Sequence, residues 1–139
     1  MPEEDLLSYF PTSNAFIEDG MAKDGAVLVH CYRGRSRSAT VVVAFLMQKH
    51  GYSAERALAK VRSKREIIQP HESFLAQLKL FENMDYALDP GNLQFKMFRY
   101  VCTANRRAFN FSFYNFLWSP DEISTRLLIS KLGGREINF

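Results

Sequence analysis

The pattern of apolar and polar positions predicts several helices around one buried strand. Residues 26–29 are apolar on both faces, as expected for a central strand of a parallel sheet. Apolar residues at helical spacing predict helices over residues 6–23 and 36–50, and Gly51 ends the second of them. The pattern therefore indicates an α/β fold with one clear parallel-type strand and several helices.

Two shorter helices are predicted further along the chain. Ser53 is placed to cap the first, because its hydroxyl can accept a hydrogen bond from a backbone N–H of the first turn. Pro70 stands at a first-turn position of the second, in which Phe74, Leu78 and Phe81 recur at helical spacing. Each of these helices has one apolar face to bury.

The Asp-Pro-Gly-Asn turn at residues 89–92 is the best predicted domain boundary in the chain. We interpret residues 1–88 as one unit and residues 89–139 as a C-terminal extension. Residues 93–101 begin this extension with an aromatic-rich segment that is suited to packing on the helices of the first unit.

The rest of the extension has two further local patterns. Residues 109–113 alternate apolar and polar side chains, which is typical of a strand. The Ser-Pro-Asp-Glu sequence at 119–122 begins a predicted helix, with a cap, a proline at the first position and a glutamate three residues after the cap. That helix would bury three aliphatic residues and end at Gly133.

Composition places the chain among ordinary globular proteins. Of its 139 residues, 47% are hydrophobic and 24% are charged, and the formal net charge is +3. No apolar run approaches the ~20 residues of a membrane-spanning helix, and we recognise no secretory signal. Two cysteines and three scattered histidines suggest no metal site. We expect no cofactor, and a reducing compartment, cytoplasmic and/or nuclear.

The strongest candidate for a reactive site is an eight-residue segment, Cys31-Tyr32-Arg33-Gly34-Arg35-Ser36-Arg37-Ser38. A loop that leads from a strand into a helix directs backbone N–H groups and the positive end of the helix dipole at one point, which suits phosphate. Gly34 allows the loop to curl tightly, and Arg37 can bind phosphate oxygens as a bidentate fork. In this positive field Cys31 should have a lowered pKa, and its thiolate could then accept a phosphoryl group.

The sequence His30-Cys31-x-x-Gly34-x-Ser36-Arg37-Ser38 resembles the signature loop of the cysteine-dependent dual-specificity protein phosphatases, and every fixed position matches. The resemblance implies that Cys31 is the nucleophile and Arg37 the phosphate clamp. It also implies that Ser38 bonds to the departing thiolate and that His30 supports the loop. The remaining loop residues are expected to bind substrate: Tyr32, Arg33, Gly34, Arg35 and Ser36.

This resemblance extends over about residues 5–88 and implies a partial protein-tyrosine-phosphatase-like domain. Residues 70–78 resemble the family's Pro-Asn-x-Gly-Phe-x-x-Gln-Leu helix start, with His71 in place of the Asn and Ser73 in place of the Gly. From residue 74 onward the chain is most similar to the dual-specificity phosphatase 12 (Yvh1-like) branch.

The family also implies a general-acid Asp on a loop before the cysteine. Alignment of the flanking residues places this Asp, and the strands that form most of the family's sheet, just ahead of Met1. We therefore expect residues 1–88 to be the C-terminal part of a catalytic domain in an N-terminally truncated form. Asp5 is the nearest candidate for the acid, and Glu3 and Glu4 are weaker ones. The alternative for Asp5 is a first-turn carboxylate that the helix dipole favours.

These features indicate a dual-specificity protein phosphatase that hydrolyses phosphotyrosine, and also phosphoserine and phosphothreonine, through a phosphocysteine intermediate. Phosphorylated proteins would be its partners, and nucleic acid is not expected among them. Without the family's usual acid we expect residual activity skewed toward aryl phosphates, because an aryl leaving group needs less protonation. A strand with few predicted neighbours could also require a helper partner.

Two alternatives from other functional classes remain open. Arg35 occupies the position at which phosphoinositide phosphatases of this superfamily have Lys, so phosphoinositides or RNA 5′-phosphates could be the substrates. The sequence Ser36-Arg37-Ser38, however, is the protein-phosphatase form. A chain without a working acid could also bind phosphorylated ligands without turnover.

Overall fold

Helices form most of the part of the chain that the structure, a computed structural model, describes: residues 4–22, 25–108 and 130–132. In chain order the elements are a 3₁₀ turn (Leu7–Tyr9), α1 (Phe10–Ala22), β1 (Ala26–Leu28), α2 (Arg37–His50), α3 (Ala54–Lys64), α4 (Glu72–Asn83), α5 (Leu93–Ala108) and β2 (Ser130–Leu132). This helix-rich α/β arrangement confirms the predicted fold class.

Helix α2 is the central element, because α1, α3 and α4 all pack against it. One of its faces buries Val43 and Met47 in a cluster with the 3₁₀ turn and helices α3, α4 and α5. Another face buries Val41 and Phe45 against α1 and β1. The β-branched residues of α2 have a local preference for strand, and burial on both faces outweighs that preference.

Local sequence signals set most helix ends where they were predicted. Gly51 adopts φ +64° and ends α2, a backbone conformation that suits glycine. The Ser53 hydroxyl caps α3 by accepting a hydrogen bond from the Arg56 N–H over 3.2 Å. Helix α4 begins at Glu72, two residues after Pro70, because the His71 ring nitrogen Nδ1 accepts the backbone N–H of the second helical residue.

Strand β1 is paired in a way that the sequence did not predict. Val27 is buried against α1 and α2, and the strand pairs antiparallel with β2 in the register Ala26–Leu132, Val27–Lys131 and Leu28–Ser130. Two expectations are corrected by this pairing. The strand is not parallel to its partner in the described sheet, and residues 130–132 form a strand where a helix was predicted. An apolar strand with open edges gains a ladder of backbone hydrogen bonds, and this gain outweighs local helix preference.

Helix α5 packs on the first unit, as its aromatic pattern predicted. The Asn92 side chain begins the helix by accepting the Phe95 N–H over 3.1 Å, and Phe95 and Cys102 are buried. The predicted strand at 109–113 and the predicted helix start at 119–122 lie outside the described residues. Within the described part, no helix has the length and apolar character needed to cross a membrane.

Candidate active site

The Cys31 thiol lies where the chain turns from β1 toward α2. The chain leaves β1 at Leu28, and the loop of residues 31–36 leads directly into Arg37, the first residue of α2. Gly34 adopts φ +61°, so the loop curls as predicted through a conformation that few other residues tolerate. The thiol is therefore placed at the N-terminal end of a long, largely buried helix, where negative charge is stabilised.

Hydrogen bonds from the loop and from α2 act on the thiol. The Cys31 sulfur lies 3.3 Å from the Ser38 hydroxyl oxygen. Burial raises the pKa of the Cys31 thiol, but the Ser38 hydroxyl and the Ser38 backbone N–H lower it. The backbone N–H groups of Gly34 and Arg33 lower it further, and the resulting pKa is about 7 instead of 9.0. In a large fraction of the molecules Cys31 is thus a thiolate at neutral pH, and the thiolate is the reactive form.

The Arg37 guanidinium has a carboxyl group in its vicinity. Burial raises the pKa of the Glu4 carboxyl, whereas the positive charge of Arg37 acts in the opposite direction. The Glu4 oxygen Oε1 is buried and has no hydrogen-bond partner among the described residues. Glu4 was a weak sequence candidate for the general acid, and the structure places it within the electrostatic reach of Arg37, the residue expected from the resemblance to bind phosphate.

The backbone that carries Glu4 is held by Gln77, a residue of α4 that is only 2% exposed. The Gln77 amide donates to the Glu4 carbonyl over 2.7 Å and accepts the backbone N–H groups of Leu6 and Leu7, both over 2.9 Å. Sequence reasoning assigned no such role to Gln77. The available signal was its position, because a glutamine three residues after Phe74 falls on the apolar face of α4.

Asp5 has a different environment from Glu4. Its carboxylate accepts the Ser8 backbone N–H over 3.0 Å and the Ser8 hydroxyl over 2.8 Å. The Arg99 guanidinium donates to the same carboxylate over 2.8 Å. This is the arrangement of a carboxylate that begins a helical turn, which was the alternative interpretation of Asp5. Glu3, the remaining acid candidate, lies outside the described residues.

The outer residues of the loop face different surroundings. Tyr32 is 87% exposed, Arg33 is exposed and His30 is half-buried. The Arg35 side chain is bonded to the segment that follows α3, and the Ser36 hydroxyl accepts the His71 N–H over 3.1 Å. The residues predicted to bind substrate thus differ in role, because Arg33 and Gly34 direct backbone N–H groups at the thiol whereas Arg35 and Ser36 bind neighbouring protein groups. In the described part of the chain, no three His, Cys, Asp or Glu side chains cluster as a metal site would require.

Comparisons with known proteins identify the family to which the chain is similar. The family model of the dual specificity phosphatase catalytic domain matches residues 1–84. The chain is 40% identical over 99 residues to the dual specificity protein phosphatase MPK-4 of Drosophila melanogaster, and this match covers 71% of the chain and 26% of that protein. It is 40% identical over 98 residues to mouse dual specificity protein phosphatase 12, covering 70% of the chain and 29% of that protein. The chain therefore spans less than a third of the length of each of these two relatives.

The fold is similar to a solved structure as well. Human DUSP28 superposes with a TM-score of 0.60 at 38% sequence identity, over 63% of this chain and 59% of that chain. The similarity therefore concerns part of a fold.

Proposed function

Because the chain belongs to the dual specificity phosphatase family, we propose that it is a protein phosphatase acting on phosphotyrosine, and also on phosphoserine and phosphothreonine. The observation that carries this proposal is the Cys31 thiol, with a pKa of about 7, at the N-terminus of α2 beside Ser38. A nucleophile that is ionised at neutral pH and lies within an anion-binding loop suits phosphomonoester hydrolysis.

In the first step, the Cys31 thiolate attacks the phosphorus atom and forms a sulfur–phosphorus bond. The ester bond to the substrate oxygen breaks, and this oxygen accepts a proton as it leaves. The Arg37 guanidinium and the loop N–H groups bind the nonbridging oxygens, where negative charge must be stabilised during the transfer. The product of this step is a phosphocysteine together with the dephosphorylated protein.

In the second step, a water molecule attacks the phosphorus atom of the phosphocysteine and gives one proton to the carboxylate that was the donor in the first step. The sulfur–phosphorus bond breaks, inorganic phosphate leaves and the electron pair returns to Cys31 as a thiolate. The Ser38 hydroxyl, 3.3 Å from the sulfur, can donate a hydrogen bond to this thiolate as it forms. The same contact that lowers the thiol pKa in the free enzyme would therefore assist the second step.

The proton for the leaving oxygen requires a donor, and we assign this role to Glu4. Burial raises the pKa of its carboxyl, which favours the protonated form that a general acid needs. Its electrostatic interaction with Arg37 supports a position near the phosphate-binding loop. Its Oε1 is buried and has no hydrogen-bond partner among the described residues, so no hydrogen bond from them holds that oxygen. The Asp5 carboxylate, in contrast, is already bound by Ser8 and Arg99.

The substrates proposed are phosphorylated proteins, and the compartment proposed is the cytoplasm, the nucleus or both. A reactive thiol is kept reduced in these compartments, as the Cys31 chemistry requires. The three residues Ser36, Arg37 and Ser38 have the protein-phosphatase form, which supports proteins over phosphoinositides or RNA 5′-phosphates. Arg35, the residue that favoured those alternatives, donates its hydrogen bonds to Ile67 and Gln69.

Hydrolysis of an aryl phosphate by the purified chain, beside the Cys31→Ser variant, tests the proposal. We expect turnover that is abolished in the variant and inhibited by vanadate. Binding of phosphopeptides without turnover in either protein would instead identify a phosphate-binding module. Faster turnover of inositol lipids or 5′-triphosphorylated RNA than of phosphopeptides would favour the alternative substrate classes.

A further inference from the structure

The segment that follows α3 is bonded to the phosphate loop by a series of hydrogen bonds. The Arg35 side chain makes two of them. Its Nε donates to the Ile67 carbonyl over 3.2 Å, and its Nη2 donates to the Gln69 side-chain oxygen over 3.0 Å. The Gln69 backbone N–H returns a bond to the Arg35 carbonyl over 2.7 Å. Both the side chain and the backbone of Arg35 are thus fixed to the same short segment.

Two neighbouring loop residues are bonded to the same segment. The Arg65 Nε donates to the Gly34 carbonyl over 3.2 Å, and the His71 N–H donates to the Ser36 hydroxyl over 3.1 Å. The Arg65 guanidinium also covers Gly34 closely, because a Cβ atom on Gly34 would lie 3.2 Å from Arg65 Nη2. Three consecutive loop residues therefore have partners in residues 65–71, and we call this set of contacts the loop brace.

The loop brace acts next to the groups that stabilise the thiolate. The backbone N–H groups of Arg33 and Gly34 bond to the Cys31 sulfur. The carbonyl groups of Gly34 and Arg35, which the brace holds, belong to the peptide planes that follow directly. Because Gly34 has φ +61° and is free to adopt other conformations, external contacts are needed to keep these planes in one orientation.

We propose that Arg35 and Arg65 are positioning residues that hold the phosphate loop in the curve directing its N–H groups at the Cys31 sulfur and at a bound oxyanion. The inference rests on the proposed function of Cys31 as nucleophile. It assigns Arg35 to the scaffold of the loop, in place of the substrate-binding role expected from the sequence.

A purely electrostatic role of the two arginines is the competing explanation. Both side chains are exposed, and exposed charges act weakly in water and are screened by salt. Lysine distinguishes the two explanations at position 35, because it retains the charge but lacks the planar fork that reaches two acceptors at once. A charge effect survives Arg35→Lys and disappears in high salt, whereas the two Arg35 side-chain bonds of the brace are lost in Arg35→Lys at any salt concentration.

The experiment measures the rate of Cys31 alkylation by iodoacetamide against pH, together with vanadate affinity. It compares the wild-type chain with Arg35→Ala, Arg35→Lys and Arg65→Ala, and it uses Cys31→Ser to subtract alkylation of Cys102. Arg62→Ala is the matched control, because Arg62 is an exposed arginine on α3, close in sequence to the brace. Circular dichroism confirms that each variant is folded before it is compared.

We expect the thiol pKa to rise by about one unit in Arg35→Ala and Arg65→Ala, which corresponds to the loss of about one hydrogen bond's net stabilisation. Vanadate should bind roughly tenfold more weakly for the same reason. Arg35→Lys should resemble Arg35→Ala, and Arg62→Ala should resemble the wild type. The inference is overturned if the wild-type thiol has a lowered pKa that these variants leave unchanged, or if Arg35→Lys retains it. A wild-type pKa near 9.0 would instead contradict the proposed function itself.

Discussion

The Arg99 guanidinium on α5 lies 2.8 Å from the Asp5 carboxylate, although the two residues are 94 positions apart in the chain. The same guanidinium donates to the Ser8 hydroxyl over 2.7 Å. Phe95, on the same helix, is buried in the main core. Helix α5 therefore packs against the helices that precede the turn at residues 89–92. The Arg99 guanidinium also holds Asp5, which lies just before the 3₁₀ turn, and Ser8, which lies within it.

The first prediction concerns Asp5 and separates a capping role from an acid role. Asn can accept the Ser8 N–H as Asp does, so Asp5→Asn should lower the free energy of unfolding only slightly. Asp5→Ala should cost about 1 kcal/mol, because it removes the cap. Arg99→Ala should cost less than about 1 kcal/mol, since Arg99 is half-exposed and solvent weakens such ion pairs. Urea denaturation measures all three values, and a hundredfold loss of alkyl phosphate turnover in Asp5→Asn would contradict this assignment.

The second prediction concerns Glu4 as proton donor. Glu4→Gln keeps the size of the side chain but removes the transferable proton. We expect turnover of a phosphoserine peptide to fall by about 10²–10⁴-fold, which is the usual contribution of general acid catalysis. Turnover of nitrophenyl phosphate should fall much less, because its leaving group needs little protonation. Equal losses on both substrates would show that Glu4 acts in some other way, for example on the position of Arg37.

The third prediction concerns pH. Since the pKa of Cys31 is lowered to about 7, the thiolate is present above that value and is lost as the pH falls through it. The iodoacetamide reaction of Cys31 should therefore rise with pH and reach its midpoint near 7. Ser38→Ala should move the midpoint upward, because it removes the hydroxyl hydrogen bond to the sulfur. It should also cause phosphocysteine to accumulate, which a burst of product release followed by slow turnover would reveal.

The sequence predicted the reactive loop because all its parts are contiguous. Cys31, Gly34, Arg37 and Ser38 lie within eight residues, and the strand, loop and helix that place them follow from local patterns. Helix signals such as Gly51 were equally local, since a single residue determines the backbone conformation at the end of a helix. For this reason the spacing alone was sufficient to place thiol and guanidinium at one helix end.

Other parts of the site depend on partners that are distant in the sequence. The bond from Gln77 to Glu4 spans 73 positions, and the bond from Arg35 to Gln69 spans 34. Pairing of β1 with β2 joins residue 28 to residue 130. Neither apolar periodicity nor turn chemistry contains information on such pairs, because each of these residues is compatible locally with several environments. The contacts of Glu4, Gln77 and Arg35, on which their proposed roles rest, are therefore visible only in the structure.

The fourth prediction tests whether Gln77 connects stability with the acid. Gln77→Ala removes the side-chain acceptor of the buried Leu6 and Leu7 N–H groups. The Leu6 N–H keeps only its longer contact of 3.2 Å to the Glu4 carbonyl, and a buried group that loses its partner costs about 1–3 kcal/mol. We expect a lower midpoint of urea unfolding with an unchanged slope. Gln94→Ala is the matched control, because Gln94 is an exposed glutamine on α5. The variant also loses the bond to the Glu4 carbonyl, so at low urea its folded fraction should turn over phosphoserine peptides more slowly while nitrophenyl phosphate hydrolysis changes little. Retention of the wild-type ratio between the two substrates would mean that Gln77 supports the fold alone, and that the position of Glu4 is determined by Arg37 and the surrounding core.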